Sequence, residues 1–326
     1  MISDWFRQTW KQLTIGNDRQ ESSDRAKVPH GIPPADLSRA GPVKARPPEH
    51  FFTPEAMRRA WLAVKRAGGG AGVDGVTLEI FDRNLEPELN ALREELIQGT
   101  YRPRPVRRIL APKVNGGLRP LAMWALRDRI AQRVVYEILA PSFESVFLPS
   151  SFGFRPGRSV QDAVEQVIRH RDQNLRWVVD GDIENCFDSI DNRRLLRLVG
   201  KRVKDKLLLH YVAGWLHADI LNSADGMPRK AGTSQGSVLS PLLSNVYLHE
   251  FDREMARNHL ALVRYADDFV VCCRRKTDAE KALAAAEAGL ARLRLTLNRR
   301  KSRIVHFDDG FEWLGYFLVR RECYPL

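Results

Sequence analysis

Cysteine is scarce in this 326-residue chain. Cys186, Cys272, Cys273 and Cys323 include no C-x-x-C pair, and neighbours such as Cys272 and Cys273 on a strand point to opposite faces. A disulfide framework and a zinc cluster are thereby set aside, and the thiols read as buried and inert. The eight histidines are scattered, with no H-E-x-x-H. Long apolar runs are also missing: none nears the roughly 18 residues of a membrane span. The opening Met1-Ile2-Ser3-Asp4-Trp5-Phe6 lacks the basic flank and long apolar stretch of a secretory signal, so a cytoplasmic chain without membrane contact is expected. No repeat recurs at a solenoid period. Acids are the minority charge. Lys and Arg number 52 against 40 Asp and Glu, a formal charge of +12 that favours polyanionic partners, although a basic surface with no dedicated partner has the same composition.

What is present has an ordinary globular balance, 44% hydrophobic and 28% charged. Trp5, Phe6, Trp10 and Leu13 are close to helical spacing, which predicts an amphipathic helix over 1–16. The polar, Pro-rich stretch 17–50 reads as a flexible linker, because it has too little apolar surface to bury. From Phe51 the pattern becomes compact. Thr53-Pro54 opens a helix that Gly68-Gly69-Gly70 stops. Leu85, Leu89, Leu92 and Leu96 mark a second ending at Gly99, and Leu126, Ile130, Val134 and Ile138 a third. Ser159 with Asp162 forms a capping box for a fourth. The pattern then changes: 176–183 is short and β-rich, Ser240-Pro241 opens a helix, and Val263 to Cys273 reads as a hairpin with acids at its turn. Thr277 and Glu280 cap another helix, and strands are expected around 304–307 and across Trp313 to Val319. A helical first half followed by an α+β second half is the predicted architecture.

Asp182 and the Asp267-Asp268 pair are far apart in sequence, yet each falls at the end of an apolar strand. If those strands are neighbours in one sheet, the carboxylates converge and need a compensating cation, for which oxygen ligands favour Mg²⁺. Paired ions suit in-line phosphoryl transfer. A D-D dipeptide is also a common turn, since Asp bonds its own backbone there. Asp180 shares a face with Asp182, so the pattern alone leaves open which of the two is the ligand.

The context resembles a family. Arg264-Tyr265-Ala266-Asp267-Asp268-Phe269 is similar to the Y-x-D-D box of reverse transcriptases in the group II intron-like branch, a branch that includes CRISPR-associated enzymes. Other boxes of that branch appear in order. Tyr101-Arg102-Pro103 and Ile109 to Pro120 resemble the first fingers motif. Ser151-Phe152-Gly153-Phe154-Arg155-Pro156-Gly157-Arg158 resembles Y/S-G-F-R-P-G-R/K, and Asp182-Ile183-Glu184-Asn185-Cys186-Phe187-Asp188 resembles D-I-K-x-x-F-D. Gly232 to Pro241 resembles G-T-P-Q-G-G-x-L-S-P, Leu297 to Ser302 resembles L-N-x-x-K-T, and Phe311 to Tyr316 resembles the primer-grip box. Glu184, Ser234 and Ser237 depart from the pattern at positions usually Lys, Pro and Gly. None of the three is a metal ligand.

The resemblance implies a right-hand polymerase: fingers mainly in 51–175, and a palm mainly in 176–326 whose antiparallel sheet is backed by helices. It implies an RNA-directed DNA polymerase extending a DNA or RNA primer on an RNA template with dNTPs. Asp182, Asp267 and Asp268, with the carbonyl of Ile183, would be ligands of two Mg²⁺ ions, for which Mn²⁺ can substitute. Lys113, Arg119, Phe187, Gln235 and Lys301 would surround the nucleotide. Lys113 and Arg119 flank a Gly-rich turn that also reads as a solvated hairpin, and Phe187 either presses on the sugar or packs the core. Arg155 and Arg158 would hold template, or else an ion pair of the fold; Trp313, Leu314 and Gly315 would meet the primer. The chain ends soon after Gly315, so a helical thumb is expected to be absent. The missing contact would then come from a second copy, a partner or a fused domain, with a CRISPR integrase favoured. Rival readings are a maturase-type RNA-binding protein, a phage-defence polymerase making untemplated DNA, and a metal-dependent nuclease.

Overall fold

The structure, a computed structural model, describes residues 40–112, 118–218, 220–221 and 236–326. The expected helix over 1–16 lies outside the described residues. So does the stretch 17–39; within 40–50, which is mostly exposed, Val43 forms a bridge with Val203, its N–H donating to the Arg202 carbonyl and its carbonyl accepting from Lys204.

Helices lead. α1 (Pro54–Ala67) begins as the Thr53 hydroxyl accepts from the Ala56 N–H, and α2 (Leu78–Arg83) as the Thr77 hydroxyl accepts from the Ile80 N–H. α3 (Leu85–Gln98) ends where Gly99 turns left-handed, φ 71°. β1 (Val106–Pro112) and β2 (Leu118–Met123) form an antiparallel pair, and α4 (Leu126–Glu144) follows. α5 (Val160–Asp172) carries the Ser159–Asp162 capping box read from sequence. β3 (Trp177–Asp182), the short α6 (Cys186–Ser189), α7 (Asn192–Arg202), α8 (Lys206–Leu216) and β4 (Ile220–Leu221) come next. α9 (Ser240–Arg257) leads into the hairpin β5 (Ala261–Tyr265) and β6 (Asp268–Cys273), then α10 (Lys276–Arg292) and β7 (Arg303–His306). β8 (Phe311–Trp313), β9 (Tyr316–Val319) and β10 (Glu322–Pro325) close the described chain.

Two expectations need correction. Thr277 is not the cap of α10. The cap position lies two residues earlier, at Arg275, whose guanidinium binds Asp278 in the first turn. Trp313 to Val319 is not one strand either: Leu314 and Gly315 both take positive φ, 53° and 80°, and turn β8 back on β9.

The central sheet has the order β5-β6-β3-β7, antiparallel throughout. Its two-residue alternation divides the apolar residues between two cores. Val178, Val263, Val270 and Cys272 face one cluster, with Phe152, Phe187 and Trp313. Val179, Leu262, Val271 and Cys273 face the other, which the helices cover. A sheet buried on both faces explains why Phe269 to Cys273 of β6 reads as an unbroken apolar run, and why the one charge inside β5, Arg264, needs a buried partner.

Candidate active site

The carboxylates meet at one end of this sheet. β3 lies between β6 and β7, and its last residue, Asp182, pairs across the ladder with Asp268, the first residue of β6. The β5–β6 turn is only Ala266 and Asp267, with Ala266 at φ 59°. A non-glycine residue held there is strained and needs support from its surroundings.

Arg264 supplies it. This arginine is 0% exposed on an otherwise apolar strand. Its guanidinium grips Asp252 with two contacts of 2.6 Å, and donates to Asn245 Oδ1 at 3.0 Å, the Ser151 hydroxyl at 2.8 Å and the Ala266 carbonyl at 2.8 Å. Every guanidinium N–H is used. One buried ion pair thus anchors the strained turn to α9 and to the loop before α5. That loop presses directly on the turn: the Phe152 N–H donates to the Arg264 carbonyl, and Asn245 donates to the Gly153 carbonyl at 2.8 Å. A Cβ on Gly153 would sit 2.4 Å from the Ala266 nitrogen, so no other residue fits without moving the hairpin.

The electrostatics are those of crowded acids. Burial first, then the charge of Asp182, raises the Asp267 carboxyl to about 6. Burial followed by Asp267 and Asp182 raises Asp268 well above its usual range. Asp182 is instead compensated: Asn298 donates to its Oδ1 at 3.0 Å and Lys301 Nζ lies 3.0 Å from its Oδ2. Burial pulls the Lys301 ammonium down, but Asp182, Asp268 and Asp267 together raise it above its ordinary value. The Asp182 backbone is fixed by Ser302 and by the Asn298 N–H, which donates to its carbonyl. Asp180 faces Arg303 at 3.3 Å, and burial raises its carboxyl.

Among the described residues no three His, Cys, Asp or Glu side chains form a ready-made ion-binding group. The donor set nonetheless fits a hard divalent cation, being oxygen-rich and mutually repelling, with one oxygen already held by a cation.

The remaining expected residues fall into groups. Lys113 and Gln235 lie outside the described residues; Arg119 is on β2, opposite Ala111. Phe187 is 3% exposed within the cluster holding Tyr265 and Ala266, the core-packing alternative. Arg155 is a correction. It is 4% exposed, bound to Glu144 at 2.6 Å and to the carbonyls of Leu148 and Ser151, so it holds the fold and has no surface for a template. Arg158 differs, lying partly exposed over the Phe152 ring and donating to the Pro149 carbonyl. Trp313 and Leu314 are buried, and the Leu326 N–H donates to the Gly315 carbonyl. Ser237 turns out to be useful where a glycine was expected: its hydroxyl donates to Gln132 and accepts from the Leu239 N–H, tying the loop before α9 to α4. Sequence reasoning gave no role to Arg264, Asn245, Asp252 and Asn298. The signal for Arg264 was a charge inside an apolar strand, which a buried partner must explain.

The chain matches the model of the family described as Reverse transcriptase (RNA-dependent DNA polymerase) over residues 111–318. It is 35% identical over 289 residues to Protein YkfC of Escherichia coli (strain K12), covering 77% of this chain and 76% of that one. It is 37% identical over 185 residues to the group II intron-encoded protein LtrA of Lactococcus lactis subsp. cremoris, covering 56% of this chain and 31% of that one. In fold it is similar to the telomerase of Candida albicans, with a TM-score of 0.54 and 12% identity, over 75% of this chain and 49% of that chain. The matched span takes in the palm sheet with its acidic hairpin, and more than half of the chain: this protein belongs to the reverse transcriptase family.

Proposed function

We propose that the chain extends a primer 3′-hydroxyl with deoxynucleotides on an RNA template, the hydroxyl attacking the α-phosphate and pyrophosphate leaving. The observation that carries this reading is the gathering of Asp182, Asp267 and Asp268 at one sheet end, with Lys301 against Asp182. Enzymes of the family use divalent metal ions. Here Asp182, Asp267 and the Ile183 carbonyl, supported by Asp268, would hold two Mg²⁺, or Mn²⁺ in their place. Bound there, the ions supply positive charge that activates the hydroxyl and stabilises the leaving phosphate.

The protein's own groups prepare that site. Arg264 and Gly153 hold the turn that presents Asp267, while Asn298 orients Asp182. Lys301 keeps Asp182 compensated and is placed to turn to nucleotide phosphate when that carboxylate is otherwise occupied. Arg119, Lys113 and Gln235 belong to the nucleotide side, Arg158 to the template, and the Trp313-Leu314-Gly315 turn to the primer. With Phe187 in the core, discrimination against a 2′-hydroxyl by its ring would act through the packing beneath Tyr265. Thumb-like contact from a partner or fused domain is part of the same proposal. Among the described residues no helix is long and apolar enough to cross a membrane.

The test is primer extension on an RNA template. Asp182→Ala and Asp267→Ala should each reduce the rate by roughly a hundredfold or more, the scale of losing one charge-stabilising group; Asp180→Ala should stay within a few fold of wild type. Equal loss in all three, or activity that persists without deoxynucleotides, would overturn the reading.

A further inference from the structure

A cavity of about 380 Å³ opens between α4, α7 and α9, sharing no residue with the carboxylate site. Its wall is apolar and aromatic. The rings of Phe143 and Phe147 stack 6.4 Å apart at 22°, and the His249 ring meets Phe147 at 5.7 Å and 63°. His249 Nδ1 is buried with no hydrogen-bond partner among the described residues. Burial holds this imidazole below its ordinary range, so near neutral pH the ring offers one donor and one acceptor.

The rim is cationic. Lys201, Arg202 and Arg253 face a single acid, Glu250, which lies 3.9 Å from Lys201 and 3.4 Å from Arg253. Among the described residues Arg202 meets only neutral oxygens: the hydroxyls of Ser142 and Ser145 and the Ala40 carbonyl. From Lys201 a line of exposed cations continues along α7 through Arg197 and Arg193. Four residues of helix advance about 6 Å, within reach of successive phosphates of an extended strand.

We propose that this cavity and the α7 stripe bind a single strand of nucleic acid outside the catalytic site. One base enters the cavity against Phe143, Phe147 and His249. Its flanking phosphates rest on Lys201, Arg202 and Arg253, and the strand runs on along Arg197 and Arg193. Aromatic walls, one hydrogen-bonding ring and a cationic track are what unpaired bases and their backbone require. A free nucleotide would leave Arg193 and Arg197 unused. An acidic peptide would satisfy the charges, but nothing in it calls for the aromatic wall. The inference goes beyond the polymerase reading and does not depend on it.

The experiment is photocrosslinking of the full chain to a short single-stranded oligonucleotide carrying 4-thiouridine, with the attached peptides mapped by mass spectrometry. Crosslinks should appear at Phe147 or His249. The surface variant Lys201→Glu/Arg253→Glu should lower their yield about tenfold, and should reduce their salt dependence by about 0.7 in log–log slope for each cation lost. Crosslinks elsewhere on the chain, and extension of a short primer–template, should be unchanged. Absence of cavity crosslinks, or crosslinks that survive the charge reversal, would sink the proposal. So would uridine monophosphate competing as well as the oligonucleotide, which would make this a mononucleotide site.

Discussion

At the scale of single residues, the fold of the acidic β5–β6 turn depends on one buried charge. Arg264 spends its guanidinium on Asp252, Asn245, Ser151 and the Ala266 carbonyl, all within a sealed interior. Arg264→Lys keeps the charge but cannot reproduce the fork, and leaves Asp252 partly unpaired. It should cost about 3 kcal/mol in urea unfolding, the low end for breaking a buried pair, and should lower polymerase activity beyond what stability explains. A loss under about 1 kcal/mol would mean the network is replaceable. Asp128 offers a second test, on the fingers side. It is 0% exposed, accepting from the Tyr101 hydroxyl at 2.5 Å and the Arg104 N–H at 3.1 Å, while burial raises its carboxyl to about 6. The folded state therefore holds this proton more tightly than the unfolded chain does. Its contribution is complete below the unfolded value, near 3.9, and is lost as pH rises through about 6. Compared with Asp128→Asn, which does not titrate, wild type should lose stability between pH 4 and pH 7 by up to about 3 kcal/mol. Parallel profiles for the two proteins would remove Asp128 from the account.

Elements meet at the hairpin, and there backbone contact matters more than side-chain chemistry. The Ser151–Arg158 loop has Gly153 where a methyl group would collide with the backbone of the β5–β6 turn. Gly153→Ala should destabilise the protein by about 1–3 kcal/mol through overpacking. Because the displaced atoms carry Asp267, extension should fall by about tenfold or more, a small misplacement being enough. A variant with wild-type rates would show that the hairpin yields without moving its acid. The same loop explains Arg155: a conspicuous arginine in a glycine- and proline-punctuated box reads as a ligand group, yet it is sealed in by Glu144 and two carbonyls. Arg155→Ala should therefore lower melting temperature and leave the salt dependence of RNA binding alone, whereas Arg158→Ala should flatten it by about 0.7 in slope. The reverse pattern would restore the template role to Arg155.

Across the whole molecule, one sheet divides two cores, and adjacent cysteines report the division. Cys272 and Cys273 are buried on opposite faces, Cys186 is buried beside the hairpin, and Cys323 is half-buried on β10. Burial pushes all four thiols up, so none is a ready thiolate near neutral pH. The native chain should react slowly with a maleimide at Cys323, and the other thiols should be released only on unfolding. Fast labelling of Cys272 would contradict a closed sheet. Much of this was legible in the residues themselves. Caps, glycine stops and heptad-like leucines placed α1, α3, α4 and α5, because such signals act within a few residues. The ordered boxes pointed to the family, and alternation predicted that Cys272 and Cys273 face apart. What the chain could not disclose locally was partnership at long range. Whether Asp182 or Asp180 faces the hairpin acids depends on strand register, and register emerges only when β6 and β7 flank β3. The same is true of Arg264 and Arg155. A charged side chain reads alike whether it is meant for a phosphate or for a buried carboxylate, and only the packed structure, by excluding water around one and not another, separates the two.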